Sequence, residues 1–436
     1  MTDSMWLGVL GLPALLLLVA FHVPVGVAMA LVGVVGVGIL IGFEPAFALL
    51  SIEPSAAMAS EGLAIIALFL LMGNLAHAGG ISADLFRLAH VFVGHRRGGL
   101  VFATIAASAG FGAVCGSSIA TAATMVRVAL PEMLERGYAR SLAAGTIAAG
   151  GTLGMIIPPS LVLILYGVLT ETSIIALFLA AVVPGILAVV FNLGAVAVLT
   201  RARPEIAPRG IRESVSARRK ALRQSGPALT LITAMMLGIY GGIFTVPEAA
   251  AVGSSVTLLL VLINRRLSLR GFLTSLSETA ANTGMIFIII IGASIFSYFA
   301  ALSGLPTAIV DGINSLGLSA PLVLIGLLLF YLMLGSVLDT IAAMVITLPV
   351  AFPLVISMGY DPVWWGVINV VVIEMGMITP PFGINVFVLH GMARDLPLGE
   401  VYRGVLPFLA ADLLRLALLV SLPALSLWLP ETLGWL

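Results

Sequence analysis

Residues 116–125 read GSSIATAATM and residues 335–344 read GSVLDTIAAM. The two stretches share Gly116/Gly335, Ser117/Ser336, Thr121/Thr340, Ala123/Ala342 and Met125/Met344. Downstream of each comes a second matched pair, GMIIPP at 154–159 and GMITPP at 376–381, identical at five of six positions. The separations agree, 42 residues from Gly116 to Pro158 and 45 from Gly335 to Pro380, and Gly137-Tyr138 answers Gly359-Tyr360 in between. Two motifs recurring in one order and at one spacing define an internal repeat. The Pro-Pro pairs give it physical meaning, because each removes two backbone donors and prevents a continuous helix.

Composition says where these breaks lie. The 436 residues are 61% hydrophobic and 9% charged, with a mean hydropathy of +1.19, whereas soluble domains carry about 25% charged residues. The solvent is a bilayer, and apolar runs of about 20 residues recur along the chain. Zero net charge argues against a nucleic-acid partner. Cys115 is the single cysteine, so no intrachain disulfide forms. No Lys or Arg precedes Arg87, so residues 5–22 are expected to be a retained membrane helix and not a signal peptide.

Candidate crossings are 5–22, 24–42, 61–79, 141–165, 172–199, 227–245, 248–264, 282–302, 320–334, 363–390 and 405–429. Two apolar stretches fit poorly as single spans: 99–131, interrupted by Gly110, Gly112 and Gly116, and 335–357, which holds Asp339, Pro349 and Pro353. Both are expected to be re-entrant hairpins, since irregular backbone at membrane depth must be shielded by protein or line a cavity. The basic groups His95/Arg96/Arg97, 200–224 and Arg265/Arg266/Arg270 are expected on the cytoplasmic side. The basic loop 200–224 divides the chain into a first half, 1–199, and a second, 225–436, each with one hairpin and one broken helix. The fold class expected is an all-α polytopic membrane protein with about 11 transmembrane helices plus two re-entrant hairpins, arranged as two internal, inverted repeats.

A helix broken inside a membrane exposes carbonyls on one side of the break and N–H groups on the other. In secondary transporters such carbonyls hold the coupling cation and half-helix N-termini face an anionic substrate. Breaks at corresponding positions of two halves therefore point to a midplane transport site. Ser117, Ser118 and Thr121 offer hydroxyls to it, though small polar residues also pack helices. Asp339, in an apolar run, would either orient its hairpin tip by accepting backbone N–H bonds or sit near the cation. Glu374 is a candidate to bond unwound backbone. Arg127 would pair with a substrate carboxylate or reach the interface by snorkelling. Glu248, after Pro247, reads as a helix cap. The five His show no metal-ligand spacing.

With GFGAVCGSSIATAATM (110–125), PEMLERGY (131–138), GGTLGMIIPPS (150–160), GIYGGIFTVPEAAAVG (238–253), LGSVLDTIAAMVITLPV (334–350), EMGMITPPFGINVFV (374–388) and HVPVGVAMAL (22–31), essentially the entire chain resembles the large membrane subunit of tripartite ATP-independent periplasmic (TRAP) transporters. The resemblance implies an elevator-type fold, a scaffold with a mobile domain bearing the two hairpins. It implies sodium symport in the bacterial inner membrane, with no enzymatic activity and no cofactor beyond Na+ as coupling ion. It implies two partners, a small four-helix membrane subunit and an extracytoplasmic substrate-binding protein, and a small carboxylate substrate such as a C4-dicarboxylate, a sialic acid or a keto acid. No four-helix extension is fused to this chain, so the small subunit is expected as a separate polypeptide.

Carried onto this sequence, the resemblance makes Gly116, Ser117, Ser118 and Thr121 the first hairpin tip and Gly154, Pro158 and Pro159 its broken helix. The second tip becomes Gly335, Asp339 and Thr340, opposite Gly376, Thr379, Pro380, Pro381 and Asn385. Sodium would be held through backbone near Ser118, Gly154, Thr340, Gly376 and Thr379. Cys115 and Arg127 depart from the usual pattern. Other classes remain as alternatives: a stand-alone sodium- or proton-coupled organic anion transporter of similar architecture, a channel, or an intramembrane enzyme. An enzyme would need a Ser/His, paired-Asp or clustered-metal constellation that the motifs do not provide.

Overall fold

The computed structural model describes residues 3–436, and every regular element among them is helical. The first half runs α1 (Asp3–Ala20), α2 (Val25–Ile41), α3 (Phe43–Ala59), α4 (Glu61–Ala78), α5 (Ile81–Val93), α6 (Gly99–Cys115), α7 (Ser118–Glu135), α8 (Arg140–Ile156), α9 (Leu161–Thr170) and α10 (Ile174–Ala202). The second runs α11 (Val215–Tyr240), α12 (Val246–Ile263), α13 (Leu269–Ser303), α14 (Leu305–Ser315), α15 (Ala320–Val337), α16 (Thr340–Ser357), α17 (Pro362–Gly376), α18 (Ile384–Met392), α19 (Leu398–Ser421) and α20 (Ala424–Thr432). Among the described residues six helices are long and apolar enough to cross a membrane, or eight if each bent helix pair counts as one span, with four shorter apolar helices beside them.

The helices sort into two bundles. The outer one packs α2 on α13 and α4 on α12 and α13. Glycine permits the first of these crossings, since a Cβ on Gly292 would lie 2.0 Å from the Gly26 carbonyl. Its outward faces carry exposed Leu10, Leu31, Val35, Ile39 and Phe47, side chains suited to lipid. The inner bundle is built around α8 and α17. Every residue from Leu142 to Ile156 and from Val363 to Gly376 is buried, and α6, α7, α15, α16, α10 and α19 wrap them. The short helices α5 and α14, each following a left-handed glycine (Gly80 and Gly304), join the bundles: α5 packs on α6 and α11, α14 on α13 and α16.

Both hairpins are present. In the first, Thr104 of α6 meets Met133 of α7. In the second, the Tyr331 hydroxyl of α15 is 2.6 Å from that of Thr347 on α16. The stretch 320–334, expected as a separate crossing, is the first arm of this second hairpin, so the expected hairpin 335–357 is only its tip and second arm. Apolar length alone did not distinguish a crossing from a hairpin arm. Helices α3, α5 and α14 were not foreseen; the expected span 141–165 is bent by 41° where α8 gives way to α9, and 363–390 is interrupted between Gly376 and Ile384.

The repeat register is also corrected. Ser117 caps α7 as Asp339 caps α16, and Gly137/Gly359 and Pro158/Pro380 keep the same 222-residue spacing. The pairing of Gly116 with Gly335 is therefore one helical turn out at the tips. Gly116 is the left-handed turn residue, φ 61°, whereas Gly335 lies within α15 and lets α17 approach. The two Gly-Ser dipeptides have different jobs.

The hairpins open on opposite faces. The basic groups gather on one: Arg97 pairs with Arg209 backbone to backbone, and Arg266 forms an ion pair with Asp84 of α5. The first hairpin's base belongs there, since the Tyr138 hydroxyl donates to Pro208 O. From that face α8 and α9 lead to the opposite one, where Tyr166 donates to Pro362 O, 2.7 Å, at the base of the second hairpin.

Candidate functional site

Each hairpin tip is a helix end closed by its own side chain. At the first, Gly116 turns the chain and Ser117 Oγ accepts from Ala120 N, 3.3 Å, leaving Ser118 and Thr121 fully buried. Thr121 Oγ1 donates back to Ser117 O at 2.7 Å. At the second, extended Leu338 leads to Asp339, whose Oδ1 accepts from Ile341 N (2.9 Å) and Ala342 N (3.2 Å). Asp339 thus satisfies free N–H groups of α16, the capping role among its two expected ones. Thr340 is buried, with its hydroxyl 3.0 Å from Met377 Sδ.

The breaks differ in length and exposure. The first passes from Ile156 through a cis Pro158-Pro159 bond to Ser160, which caps α9, and Pro158 and Pro159 are buried. The second is longer, from Gly376 through cis Pro380-Pro381 to Gly383, and exposes Pro380, Pro381 and Phe382. Thr379 Oγ1 donates to Met375 O, and Asn385 N returns to Met377 O. Each hairpin lies against its break through glycine. A Cβ on Gly154 would come within 2.9 Å of Thr121 Oγ1 and 3.2 Å of Gly112 Cα, and one on Gly376 within 2.7 Å of Gly335 C and Leu332 O.

Asn385 draws the two repeats together. Its Nδ2 donates to Ser118 Oγ (2.6 Å) and to Ala148 O (3.3 Å). Ala148 O can only accept, which fixes the amide's orientation. The side chain from the second break therefore joins the first tip to the first broken helix. Asn385 Oδ1 is buried with no hydrogen-bond partner among the described residues. Gly383 N donates to Ser336 O, 2.9 Å, tying the second tip to the same break. Beside it an open, largely apolar groove of about 470 Å³ is lined by Ser336, Val337, Phe382, Ile384, Phe387 and Val388.

The family model described as "Tripartite ATP-independent periplasmic transporter, DctM component" matches residues 12–425. The chain belongs to this family. Among relatives of this TRAP permease, it is 36% identical over 375 residues to the C4-dicarboxylate TRAP transporter large permease protein DctM of Pseudomonas aeruginosa, covering 85% of this chain and 87% of that one. It is 33% identical over 377 residues to the sialic acid TRAP transporter large permease protein SiaM of Vibrio cholerae, covering 85% and 86%. Among solved structures, the Alcanivorax borkumensis YdaH transporter superposes with a TM-score of 0.59 over 90% of each chain at 18% identity, a likeness of fold alone. This TRAP large permease subunit is a multi-pass protein of the bacterial inner membrane.

Within the TRAP permease, the named residues fall into two groups. Gly116, Ser117, Ser118, Thr121, Gly154 and Asn385 meet at the buried first tip, with Pro158 and Pro159 in the break beside it; Asp339, Thr340 and Gly376 lie at the second, with Thr379, Pro380 and Pro381 in its break. Gly335 lies three residues before the second tip's turn. Arg127 lies outside both groups, exposed on α7 nine residues beyond Ser118. Glu374 makes no hydrogen bond to unwound backbone at its own break, contrary to expectation. Sequence reading missed Tyr402 of α19, whose hydroxyl donates to Pro381 O (2.6 Å) and Phe382 O (2.5 Å) and holds the second break's carbonyls. Nothing local to Tyr402 signals this, because its partners are twenty residues away in sequence.

Proposed function

We propose that this chain moves a small carboxylate together with sodium. It does so as the translocating subunit of a system that also has a separate small membrane subunit and an extracytoplasmic substrate-binding protein. The observation that carries this reading is Asn385 Oδ1, a buried carbonyl oxygen without a donor at the meeting point of the two repeats. Such an oxygen is costly unless a cation or a donor meets it. Sodium would take it together with oxygen atoms of the first tip, and its binding would order Ser118 against the second break. The carboxylate would enter at the open groove beside the second tip, where the N-terminus of α18 favours negative charge. The relatives named for a C4-dicarboxylate and for sialic acid, both carboxylates, support that substrate class. The inner bundle would travel as a body against the outer one.

Proteoliposomes holding this chain and its small subunit test the reading, using a panel of labelled carboxylates, with and without a sodium gradient and the binding protein. Uptake is expected only with both additions. Uptake without the binding protein would make the chain a stand-alone carrier, and uptake indifferent to sodium would reassign the coupling ion.

A further inference from the structure

Three segments meet at the face where the basic groups gather: the end of α5, the base of the first hairpin between α7 and α8, and the loop 203–214 that leads from α10 to α11. Arg97 and Arg209 pair backbone to backbone, and Ala139 N donates to Ile206 O at 3.0 Å. The buried Tyr138 hydroxyl accepts from Leu100 N at 3.2 Å and donates to Pro208 O at 3.3 Å, seventy residues away in sequence. Gly210 lies so close to the Gly94 carbonyl that no side chain fits between them. These contacts fix the walls of a half-open pocket of about 240 Å³. Gly94, Arg136, Tyr138, Arg209, Gly210 and Ile211 line it.

The lining is cationic: two arginines contribute to it and no carboxylate does. Arg136 gives one of its five N–H donors to Glu132 at 2.8 Å, and Glu132 also meets His90 at 3.2 Å, so that acid is engaged. Arg96, Arg97, Arg140 and Arg209 form no ion pair among the described residues, and Glu135, Glu205 and Glu213 stand exposed. Membrane topology asks only for positive charge on this side. It does not require two guanidinium groups and a buried hydroxyl to line one pocket, an arrangement whose planar forks suit a phosphate. The surroundings are apolar. Ile211 is 86% exposed, and Phe92, with Arg218 over its ring at 5.8 Å, is 45% exposed. Because α6 and α8 begin at this face and α10 ends there, the pocket lies where the apolar bundle meets the cytoplasmic leaflet. An aqueous anion would leave Ile211 in water, whereas a phospholipid matches both the charge and the apolar rim.

We propose that this pocket binds the phosphate headgroup of an anionic phospholipid of the cytoplasmic leaflet, with Arg136 and Arg209 on the phosphate and Ile211 against the acyl region. Arg136 belongs to the base of the first hairpin, and Arg209 to the loop that leads to α11, which packs on α12 of the outer bundle. The lipid therefore bridges the inner bundle and the connection to the outer one.

Native mass spectrometry and thermal unfolding of the purified subunit in neutral detergent test the site, whether or not the protein transports. The probes are phosphatidylglycerol, phosphatidylcholine (whose choline cancels the phosphate charge) and inorganic phosphate. Phosphatidylglycerol is expected to bind and to raise the melting temperature, and phosphatidylcholine to do neither. R209Q and R136Q are each expected to weaken phosphatidylglycerol roughly tenfold. R219Q, exposed on α11 and outside the pocket, is expected to bind as the wild type does. Should loss of the Glu132 contact keep R136Q from folding, R209Q, on an exposed loop, decides alone. Equal weakening in R219Q and R209Q would reduce the contact to general surface attraction and overturn the site, as would equal binding of phosphatidylcholine. Inorganic phosphate that displaces the lipid at equal concentration would make the ligand a soluble phosphate and overturn the lipid assignment.

Discussion

At the scale of single residues, the site depends on a few short polar contacts made where helices end. Replacing Ser118 with Ala removes the acceptor of the 2.6 Å bond from Asn385. Losing one such bond costs about 1 kcal/mol. The sodium concentration for half-maximal uptake is therefore expected to rise by up to roughly fivefold, with thermal stability lowered by no more than the same about 1 kcal/mol, and unchanged sodium activation would remove Ser118 and Asn385 from the cation site. Asp339 distinguishes capping from ion binding. Asn caps as well as Asp, so Asp339→Asn should retain stability and sodium response, while Asp339→Ala should lose about 1 kcal/mol by thermal unfolding in detergent. A loss of sodium response in Asp339→Asn would show that its charge serves the ion. The Ser, Thr and Asp of the tips were legible because polar residues are conspicuous in apolar runs. Tyr402 was not, because it acts through a distant hydroxyl, and Ser336, although matched in the repeat, gave no sign that its backbone carbonyl would accept from Gly383.

Helices and their crossings set the next scale. Pro-Pro pairs announce breaks in any sequence, and both broken helices lie where the motifs put them. The hairpins were harder: α15 is as apolar as a crossing, and only its packing with α16 beside α17 reveals it as an arm. The repeat register failed for a related reason. Sequence matching aligned two glycines that serve different ends, a turn at Gly116 and a close crossing at Gly335, while the true equivalents Ser117 and Asp339 share only the ability to cap. The crossing is testable. A methyl on Gly376 would collide with backbone of α15 at 2.7 Å, so Gly376→Ala should destabilise by about 1–3 kcal/mol. Gly326→Ala, where a Cβ meets nothing within 4 Å, should be neutral or slightly stabilising. Equal melting temperatures for the two variants would contradict the close approach.

At the scale of the whole molecule, travel of the inner bundle requires contacts between bundles that can part. His77 of α4 meets Thr124 of α7 at 3.1 Å, linking the outer bundle to the first hairpin. With Cys115 replaced by Ala, a His77→Cys/Thr124→Cys pair joined by a short thiol cross-linker should abolish uptake, and reduction of a cleavable linker should restore it. Full activity in the cross-linked protein would mean that these bundles do not move apart. The opposed hairpins have a consequence for biogenesis. One structural unit is inserted twice, in opposite senses, by a machinery that reads positive charge. The first copy is flanked by Arg96, Arg97, Arg136 and Arg140, whereas no Lys or Arg occurs between Arg270 and Arg394. The second hairpin can thus present its base to the far side because its flanks carry nothing to retain them, and lysines at the exposed Ser315 and Ser319 should produce mis-inserted protein that proteases reach from the wrong side.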